Sequence, residues 1–185
     1  MTPHELNENL GNMDLFLLDQ VLKGRFQNSQ KILDAGCGEG RNSYYFLKNN
    51  FSIYGVDRDP NAIRLASMMA RTHNKALSHN FLEEKIESLP FPDKFFDAVI
   101  CCSVLHFAAD EEHFQGMINE MDRILKPGGY FFIRMIDRPE EGIPFPMTSR
   151  HIDGLLDSGF EWVEEYKSVI EKTRSLNVIM LVKKT

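Results

Sequence analysis

The sequence predicts an α/β sandwich in which a mostly parallel sheet of seven strands lies between two layers of helices. Strand-like and helix-like runs alternate along the chain from residue 31 onward, and parallel neighbours need such crossovers. The run 97–104 is almost continuously apolar, which is typical of a strand covered on both faces. The last two strand-like runs are separated only by 170–175, so we expect them to pair as an antiparallel hairpin at one edge.

The chain is predicted to begin with a helical cover over 1–28, ahead of the first strand. Within this cover, apolar residues at helical spacing indicate a helix over 14–26. These residues are Leu15, Leu18, Val21 and Leu22. The predicted strands that follow are 31–34, 52–56, 76–81, 97–104, 130–136, 161–169 and 176–182.

Capping residues and helix breakers predict where the helices lie between these strands. Asp59 suits an N-cap and Pro60 the first helical position after the second strand. A further helix is predicted from Asp110, whose charge favours a helix start, and the run of Lys126, Pro127 and two glycines ends it. The other helices are predicted over 41–47 and around Ile152, Leu155 and Leu156, the latter ended by Gly159.

Composition and charge narrow the function classes. With 185 residues, 43% of them hydrophobic and 26% charged, the chain is predicted to be a single folded domain over 1–185. The chain has a formal net charge of -6 and no run of Lys or Arg. It therefore offers no positively charged segment that would attract nucleic acid or an anionic membrane. We therefore expect neither as a partner.

Cysteine and histidine spacing argues against a metal and against disulfides. Cys37, Cys101 and Cys102 and the six histidines lack paired metal-ligand spacing, so we expect no structural metal. Because the number of cysteines is odd, we expect buried free thiols rather than a disulfide framework. No apolar run approaches bilayer length, and the first residues are polar and acidic rather than signal-like. A cytoplasmic location is the resulting expectation.

A glycine-rich loop follows the first strand in the stretch KILDAGCGEGRNSYYF. Gly36, Gly38 and Gly40 are spaced GxGxG, whereas a dinucleotide fingerprint needs its third glycine where Arg41 stands. Asp34 lies beside the loop, where it can receive an ammonium group. Asp57 ends the second strand, where a carboxylate can accept ribose hydroxyls. The residues predict a ligand with a ribose and a cationic, phosphate-free tail.

Four motifs in order make the chain resemble class I S-adenosylmethionine (SAM)-dependent methyltransferases of the type 11/12 domain. They are LDAGCGEG, the GVD that ends at Asp57, LPFPDKFFDAVICCSVLHF and ILKPGGYFF, and they span about 31–136. This resemblance implies a Rossmann-like fold, SAM as cofactor and S-adenosylhomocysteine as product. The segments GRNSYYF, FPM and Lys172-Thr173-Arg174 are also similar to the tellurite-resistance branch of that superfamily.

The resemblance also assigns donor contacts by position. The methionine part would face Asp34 and the three glycines. The ribose hydroxyls would face Asp57, and the adenine would lie beside Arg58. Many relatives carry an Asp where this chain has Lys85, so the adenine amino contact would fall to Glu84 or the backbone of Ile86. A carbonyl at Cys102 or Ser103 would meet the methionine ammonium.

Methyl transfer from a sulfonium is an in-line displacement. It depends on alignment of the nucleophile with the methyl group and on exclusion of water, more than on a covalent protein nucleophile. His106, just after strand four, is a candidate general base for a hydroxyl or amine acceptor; shaping of the pocket is the alternative. Arg134 and Arg138 are candidates for binding an acidic substrate group, with surface ion pairing as the alternative. Arg41 is expected to orient the loop, and Tyr44 either to pack in the core or to face a cation.

The sequence therefore predicts a methyltransferase that uses SAM and acts on a small molecule. An NAD(P)-dependent oxidoreductase and a SAM-binding module without turnover remain as alternatives. Neither the acceptor atom nor the oligomeric state follows from the sequence.

Overall fold

The computed structural model describes residues 1–138, 145–165, 167–171 and 174–185. The backbone contacts group them into two compact units, an N-terminal unit of Met1–Ile86 and a C-terminal unit of Glu87–Thr185. Lys172 and Thr173, which carry part of the resemblance to the tellurite-resistance branch, lie outside the described residues.

The N-terminal unit is built around three parallel strands. Its elements are α1 (Pro3–Leu10), α2 (Leu15–Leu22), β1 (Lys31–Ala35), α3 (Ser43–Lys48), β2 (Ser52–Asp57), α4 (Pro60–His73), a 3₁₀ helix (Lys75–Asn80) and β3 (Phe81–Glu83). Strand β2 lies between β1 and β3 and pairs with both in parallel. The apolar residues of β1 are completely buried, so the loop that leaves this strand starts from a rigid base.

The C-terminal unit combines a parallel pair with an antiparallel part. Its elements are β4 (Phe96–Cys102), a 3₁₀ helix (Leu105–Phe107), α5 (Glu111–Ile124), β5 (Leu125–Ile136), α6 (Ser149–Asp157), β6 (Phe160–Trp162), β7 (Lys167–Glu171) and β8 (Arg174–Lys183). Strands β4 and β5 are parallel, β8 is antiparallel to β5, and β6 and β7 both pair antiparallel with β8. The predicted α/β class and its antiparallel C-terminal hairpin are confirmed.

The helix starts predicted at Asp59 and Asp110 are confirmed by their capping bonds, whereas the helix predicted over 41–47 is α3, Ser43–Lys48. The Asp59 side chain accepts a hydrogen bond from the backbone N–H of Asn61 at the start of α4, and Asp110 accepts one from His113 at the start of α5. The buried residues of α4 include Ile63, Ala66 and Ala70.

The second helix of the N-terminal cover is shorter than predicted, since α2 spans Leu15–Leu22 and the prediction was 14–26. Two of the apolar residues that predict this helix, Leu15 and Leu22, are 72% and 78% exposed, whereas Leu17 and Gln20 are buried. The cause is tertiary: the side chain of Asp14 caps α2 while its backbone N–H donates to Asn42 Oδ1 at 3.0 Å. The anchor at Asp14 fixes the rotation of the helix, and the apolar spacing does not.

The third predicted strand was wrong in position. Residues 75–80 form the 3₁₀ helix, and the strand begins only at Phe81. Asn74 accepts a hydrogen bond from the backbone N–H of Ala76, and such local side-chain bonds compete with strand formation.

The part of the chain that the structure describes has eight strands where seven were predicted. The predicted strand 161–169 is two short strands, β6 and β7, which pair with opposite ends of β8. Strand β5 starts at Leu125 rather than Tyr130, because Pro127, Gly128 and Gly129 form a bulge between two residues that both pair with β4. Within the described ranges, no helix combines the length and the apolar character needed to cross a membrane.

Candidate functional site

The glycine loop at 36–42 is docked onto the end of β2. The backbone N–H groups of Gly36 and Cys37 both donate to the carbonyl of Val56, at 2.8 and 2.9 Å. The N–H of Gly40 then donates to the carbonyl of Cys37 at 3.0 Å and closes a turn. The loop and the last residues of β2 therefore form one hydrogen-bonded unit.

Two of the glycines meet different needs. Gly38 has φ of +54°, and a Cβ built on it would meet no heavy atom of the described residues within 4 Å. Gly40 has φ of +89°, and a Cβ there would overlap the end of the Met69 side chain and touch Ala66 at 3.4 Å. Gly38 thus presents bare backbone to open space, while Gly40 allows the loop to pack closely on α4.

Asp57 joins the loop to the end of β2. One carboxylate oxygen, Oδ2, accepts the N–H of Gly38 at 2.9 Å, and Oδ1 accepts the N–H of Asp59 at 2.9 Å. The side chain is half-buried. A carboxylate has about four acceptor positions, so both oxygens keep capacity for further donors such as ribose hydroxyls.

Asp34 lies deeper than the sequence suggested. It is 1% exposed, and its Oδ2 accepts the hydroxyl of Ser43 at 2.7 Å. Burial raises the pKa of Asp34 to about 6, against the lowering effects of the Ser43 hydrogen bond and the Arg41 charge; the Asp57 charge raises it further. Sequence reasoning missed Ser43, although a hydroxyl in the first turn of the helix after the loop was a visible signal.

Cys37 packs inside the loop and is not a reactive thiol. Its side chain is 7% exposed, and a Cβ on Gly55 would lie 2.9 Å from its Sγ. Burial, with the charges of Asp34 and Asp57, raises the pKa of this thiol well above its ordinary value. All three cysteines are buried and free, as predicted, and a thiol that stays protonated is a poor nucleophile.

The residues assigned to adenine and ribose follow β2 and β3. Asp57 pairs with Glu83 in the parallel register, and the N–H of Glu84 donates to the carbonyl of Asp57 at 3.0 Å. The side chain of Arg58 is exposed, and that of Ile86 is 6% exposed. The structure thus links Asp57 to the glycine loop on one side and to Glu84 on the other.

The segment before α2 is tied to the residues that follow the loop. A guanidinium nitrogen of Arg41, Nη1, donates to the carbonyl of Asn12 at 2.9 Å, and the ring of Tyr44 fills the space beside Gly11, where a Cβ would lie 2.5 Å from it. Tyr44 therefore packs on the segment before α2, and its ring also faces a cation of this chain, since Lys48 Nζ lies 5.8 Å from the ring centroid.

In the C-terminal unit, Ser103 follows β4 with an uncommon backbone conformation. Its φ is +61°, which is rare for a residue other than glycine and is often found at functional sites. The N–H of Ser103 donates to the carbonyl of Arg134 at 2.7 Å, and Arg134 Nη1 donates to the Ser103 hydroxyl at 2.6 Å. Cys102, the last residue of β4, is 8% exposed. The donor contacts assigned to Cys102 and Ser103 stay predictions.

His106 and Arg138 lie in different surroundings within this unit. His106 is 4% exposed in the 3₁₀ helix after β4, and its carbonyl accepts the N–H of Phe145 at 3.3 Å. Arg138 is exposed, with its Nε 3.5 Å from the Asp137 carboxylate. This contact is the surface ion pair that stood as the alternative for Arg138.

Comparison with known proteins places the chain in a family. The family model described as a methyltransferase domain matches residues 33–133, more than half of the chain. The uncharacterized methyltransferase YodH of Bacillus subtilis is 35% identical over 81% of this chain. The chain spans 64% of the length of that relative.

Two further relatives are named for different acceptors. A fatty-acid O-methyltransferase of Mycolicibacterium smegmatis is 32% identical over 62% of this chain and 40% of its own length. A tRNA (carboxymethyluridine(34)-5-O)-methyltransferase of Arabidopsis thaliana is 28% identical over 71% of this chain and 30% of its own length.

Solved structures confirm the Rossmann-like fold. A SAM-dependent methyltransferase of Methanosarcina mazei has a TM-score of 0.70 and 25% identity, over 89% of this chain and 97% of that one. A TehB-like SAM-dependent methyltransferase of Corynebacterium glutamicum has a TM-score of 0.71 and 20% identity, over 92% and 89%. Together with the matched domain, these findings show that the chain belongs to the SAM-dependent methyltransferase family.

Proposed function

We propose that this protein transfers a methyl group from SAM to a small-molecule acceptor. The observation that carries the proposal is the bond between the Asp57 carboxylate and the N–H of Gly38, the glycine whose open side faces space. The Asp57 carboxylate, which can accept hydrogen bonds from ribose hydroxyls, thus lies next to the Gly38 backbone, which a ligand can approach closely. A ligand with a ribose and a compact tail needs both features.

The residues of the N-terminal unit fit such a donor. Asp57 would accept the ribose hydroxyls, the loop at Gly36, Gly38 and Gly40 would receive the methionine part, and the negative charge of Asp34 would favour the ammonium group. The exposed Arg58, with Glu84 and the backbone of Ile86, is proposed for the adenine. When bound, SAM supplies a methyl group on a positively charged sulfur, a good leaving group.

The chain's own residues would then align the acceptor and remove its proton. His106 is the proposed general base for a hydroxyl or amine, and Arg134 the proposed contact for an acidic group of the acceptor. Arg138 is kept as a second such candidate. The reaction needs no covalent protein intermediate, which agrees with the buried, protonated state of Cys37.

A small-molecule acceptor is supported by the charge of the chain. The formal net charge of -6 opposes binding to a phosphate backbone, and the named acceptors of the relatives include a fatty acid as well as a tRNA. A SAM-binding module without turnover is the second candidate. The burial of His106 favours it, since a base must reach its acceptor.

Calorimetric titration of the protein with SAM, S-adenosylhomocysteine and NADH tests the donor. Saturable binding of the two sulfur ligands, lost in Asp57→Ala, is the expected result. Binding of NADH alone would overturn the proposal. A radiolabelled methyl-transfer assay with fatty acids, catechols, tellurite and tRNA then separates a small-molecule enzyme from a tRNA enzyme and from a module without turnover.

We also propose a cytosolic location. The three cysteines are free and buried, a state that reducing compartments maintain. Fractionation of the source cells, with an antibody against the protein, tests this proposal.

A further inference from the structure

A buried hydrogen bond joins the two ends of the glycine loop. Asp34 lies in β1, two residues before Gly36, and Ser43 is the first residue of α3, after the loop. The distance from Ser43 Oγ to Asp34 Oδ2 is 2.7 Å, and the two residues are 0% and 1% exposed. An ionised carboxylate only accepts hydrogen bonds, so the Ser43 hydroxyl is the donor.

Other polar groups near Ser43 are engaged elsewhere. The neighbouring Asn42 gives α3 no side-chain cap, because its Oδ1 accepts the N–H of Asp14. Among the side chains of the described residues, the Ser43 hydroxyl is the group that donates a hydrogen bond to the Asp34 carboxylate. The bond is therefore directed at the carboxylate and does not serve the helix end.

We propose that Ser43 is a positioning residue of the donor site, whose hydroxyl keeps the buried Asp34 carboxylate charged and oriented beneath the glycine loop. The inference rests on the proposed function, since the charge is useful there for attracting the donor's ammonium group. It predicts that donor affinity has an acid limit and that Ser43 sets where this limit lies.

The charges around Asp34 in the N-terminal unit make this role specific. Asp57, at the end of β2, opposes ionisation of Asp34, and the Arg41 guanidinium in the loop favours it. The thiol of Cys37 remains protonated and contributes no charge. Burial is the largest influence on Asp34 and opposes its charged form. The Ser43 hydrogen bond is the largest influence in the other direction.

The test measures S-adenosylhomocysteine affinity by calorimetry between pH 5 and pH 8 in the parent protein, Ser43→Ala and Ser43→Thr. Parent affinity is expected to fall below about pH 6, where Asp34 takes up a proton. In Ser43→Ala this midpoint should rise by about one pH unit, so that binding at pH 6 is about fivefold weaker than in the parent. Ser43→Thr keeps the hydroxyl and should retain the parent profile.

A second readout needs no ligand. Carboxyl carbon NMR should give a higher titration midpoint for Asp34 in Ser43→Ala than in the parent, with circular dichroism to confirm that the variants fold. Ser78→Ala is the matched control, because Ser78 is also buried and donates to a backbone carbonyl, that of Lys75, at 2.8 Å.

The outcomes separate this inference from the proposed function. If the parent and Ser43→Ala bind S-adenosylhomocysteine with the same pH midpoint, the positioning role is overturned and the methyltransferase proposal stands. If the parent binds no S-adenosylhomocysteine at any pH, both are overturned. An unchanged Asp34 midpoint in the NMR titration also overturns the positioning role.

Discussion

The Asp57 carboxylate accepts the backbone N–H of Gly38 at 2.9 Å, so the residue proposed for the ribose also fixes the turn of the glycine loop. Its other oxygen accepts the N–H of Asp59, at the start of α4. A ligand that binds Asp57 therefore meets a group already oriented by two backbone donors. Such orientation before binding lowers the entropy lost when the ligand binds.

Replacement of Asp57 by Ala should abolish detectable donor binding and lower the free energy of unfolding by about 1–3 kcal/mol, because two backbone N–H groups lose their acceptor. Calorimetry with S-adenosylhomocysteine and urea unfolding measure the two effects. Asp59→Ala is the control: it removes the cap of α4, should destabilise by about 1 kcal/mol, and should leave donor affinity unchanged. Equal donor affinity in Asp57→Ala and the parent would remove Asp57 from the site.

Replacement of Asp34 by Asn should stabilise the fold while weakening donor binding. The folded protein holds the Asp34 proton more tightly than the unfolded chain, since the pKa of Asp34 rises from 3.8 to about 6. The contribution of Asp34 to stability is therefore present below about pH 4 and is lost as the pH rises through about 6. At pH 7 the Asn variant should be more stable by on the order of 3 kcal/mol, and this difference should vanish near pH 4.

Thermal unfolding of Asp34→Asn and the parent at pH 4 and pH 7 measures this difference. A variant that is less stable than the parent at pH 7 would contradict the assignment of a desolvated charge at this position.

Replacement of Gly38 by Ala should act on ligand binding more than on stability. The new Cβ points into open space, so only the left-handed backbone is penalised, by about 1 kcal/mol, whereas donor affinity should fall at least about tenfold, or 1.4 kcal/mol. Gly24→Ala is the matched control, since Gly24 has φ of +70° and equally open space. Equal donor affinities in Gly38→Ala and Gly24→Ala would show that the open face of Gly38 is not used.

Replacement of Arg123 by Ala should destabilise the C-terminal unit without a direct effect on the donor site. The guanidinium donates to both oxygens of Glu120, to Asp93 and to the carbonyls of Leu89 and Phe91. It therefore holds the turn before β4 onto α5. Several donors and acceptors would lose their partner at once, so we expect a loss of about 2 kcal/mol in the free energy of unfolding.

Urea unfolding of Arg123→Ala tests this expectation beside Lys23→Ala, which removes a partly exposed ion pair to Asp19 on α2. The control should change stability by less than about 0.5 kcal/mol. A similar change in both variants would show that the Arg123 network adds no more than a surface pair.

Replacement of His106 by Ala should slow methyl transfer about 100-fold if His106 is the general base, with S-adenosylhomocysteine affinity within about twofold of the parent. Single-turnover assays with an acceptor found by screening measure the rate. His4→Ala, at a position exposed in α1, is the histidine control. An unchanged rate in His106→Ala would discard the base and leave His106 as a residue that shapes the unit's interior.

Some features of the fold were predictable because their causes lie within a few residues. Asp59 and Asp110 cap their helices through bonds to N–H groups two and three positions ahead, and the spacing of glycines in the loop reports backbone angles that other residues avoid. The glycine loop, the acid at the end of β2 and the family itself followed from such patterns. The prediction of the third strand was wrong for a reason that is also local: the Asn74 side chain caps the 3₁₀ helix that stands there.

Other features depend on contacts between residues far apart in the chain, which periodicity does not report. The exposure of Leu15 and Leu22 on α2 follows from the bond between Asp14 and Asn42, two residues far apart in the chain. The division of 161–169 into two strands follows from their separate registers on β8. The burial of Asp34 and its bond to Ser43 likewise arise from packing, since desolvation and hydrogen-bond geometry are properties of the folded chain.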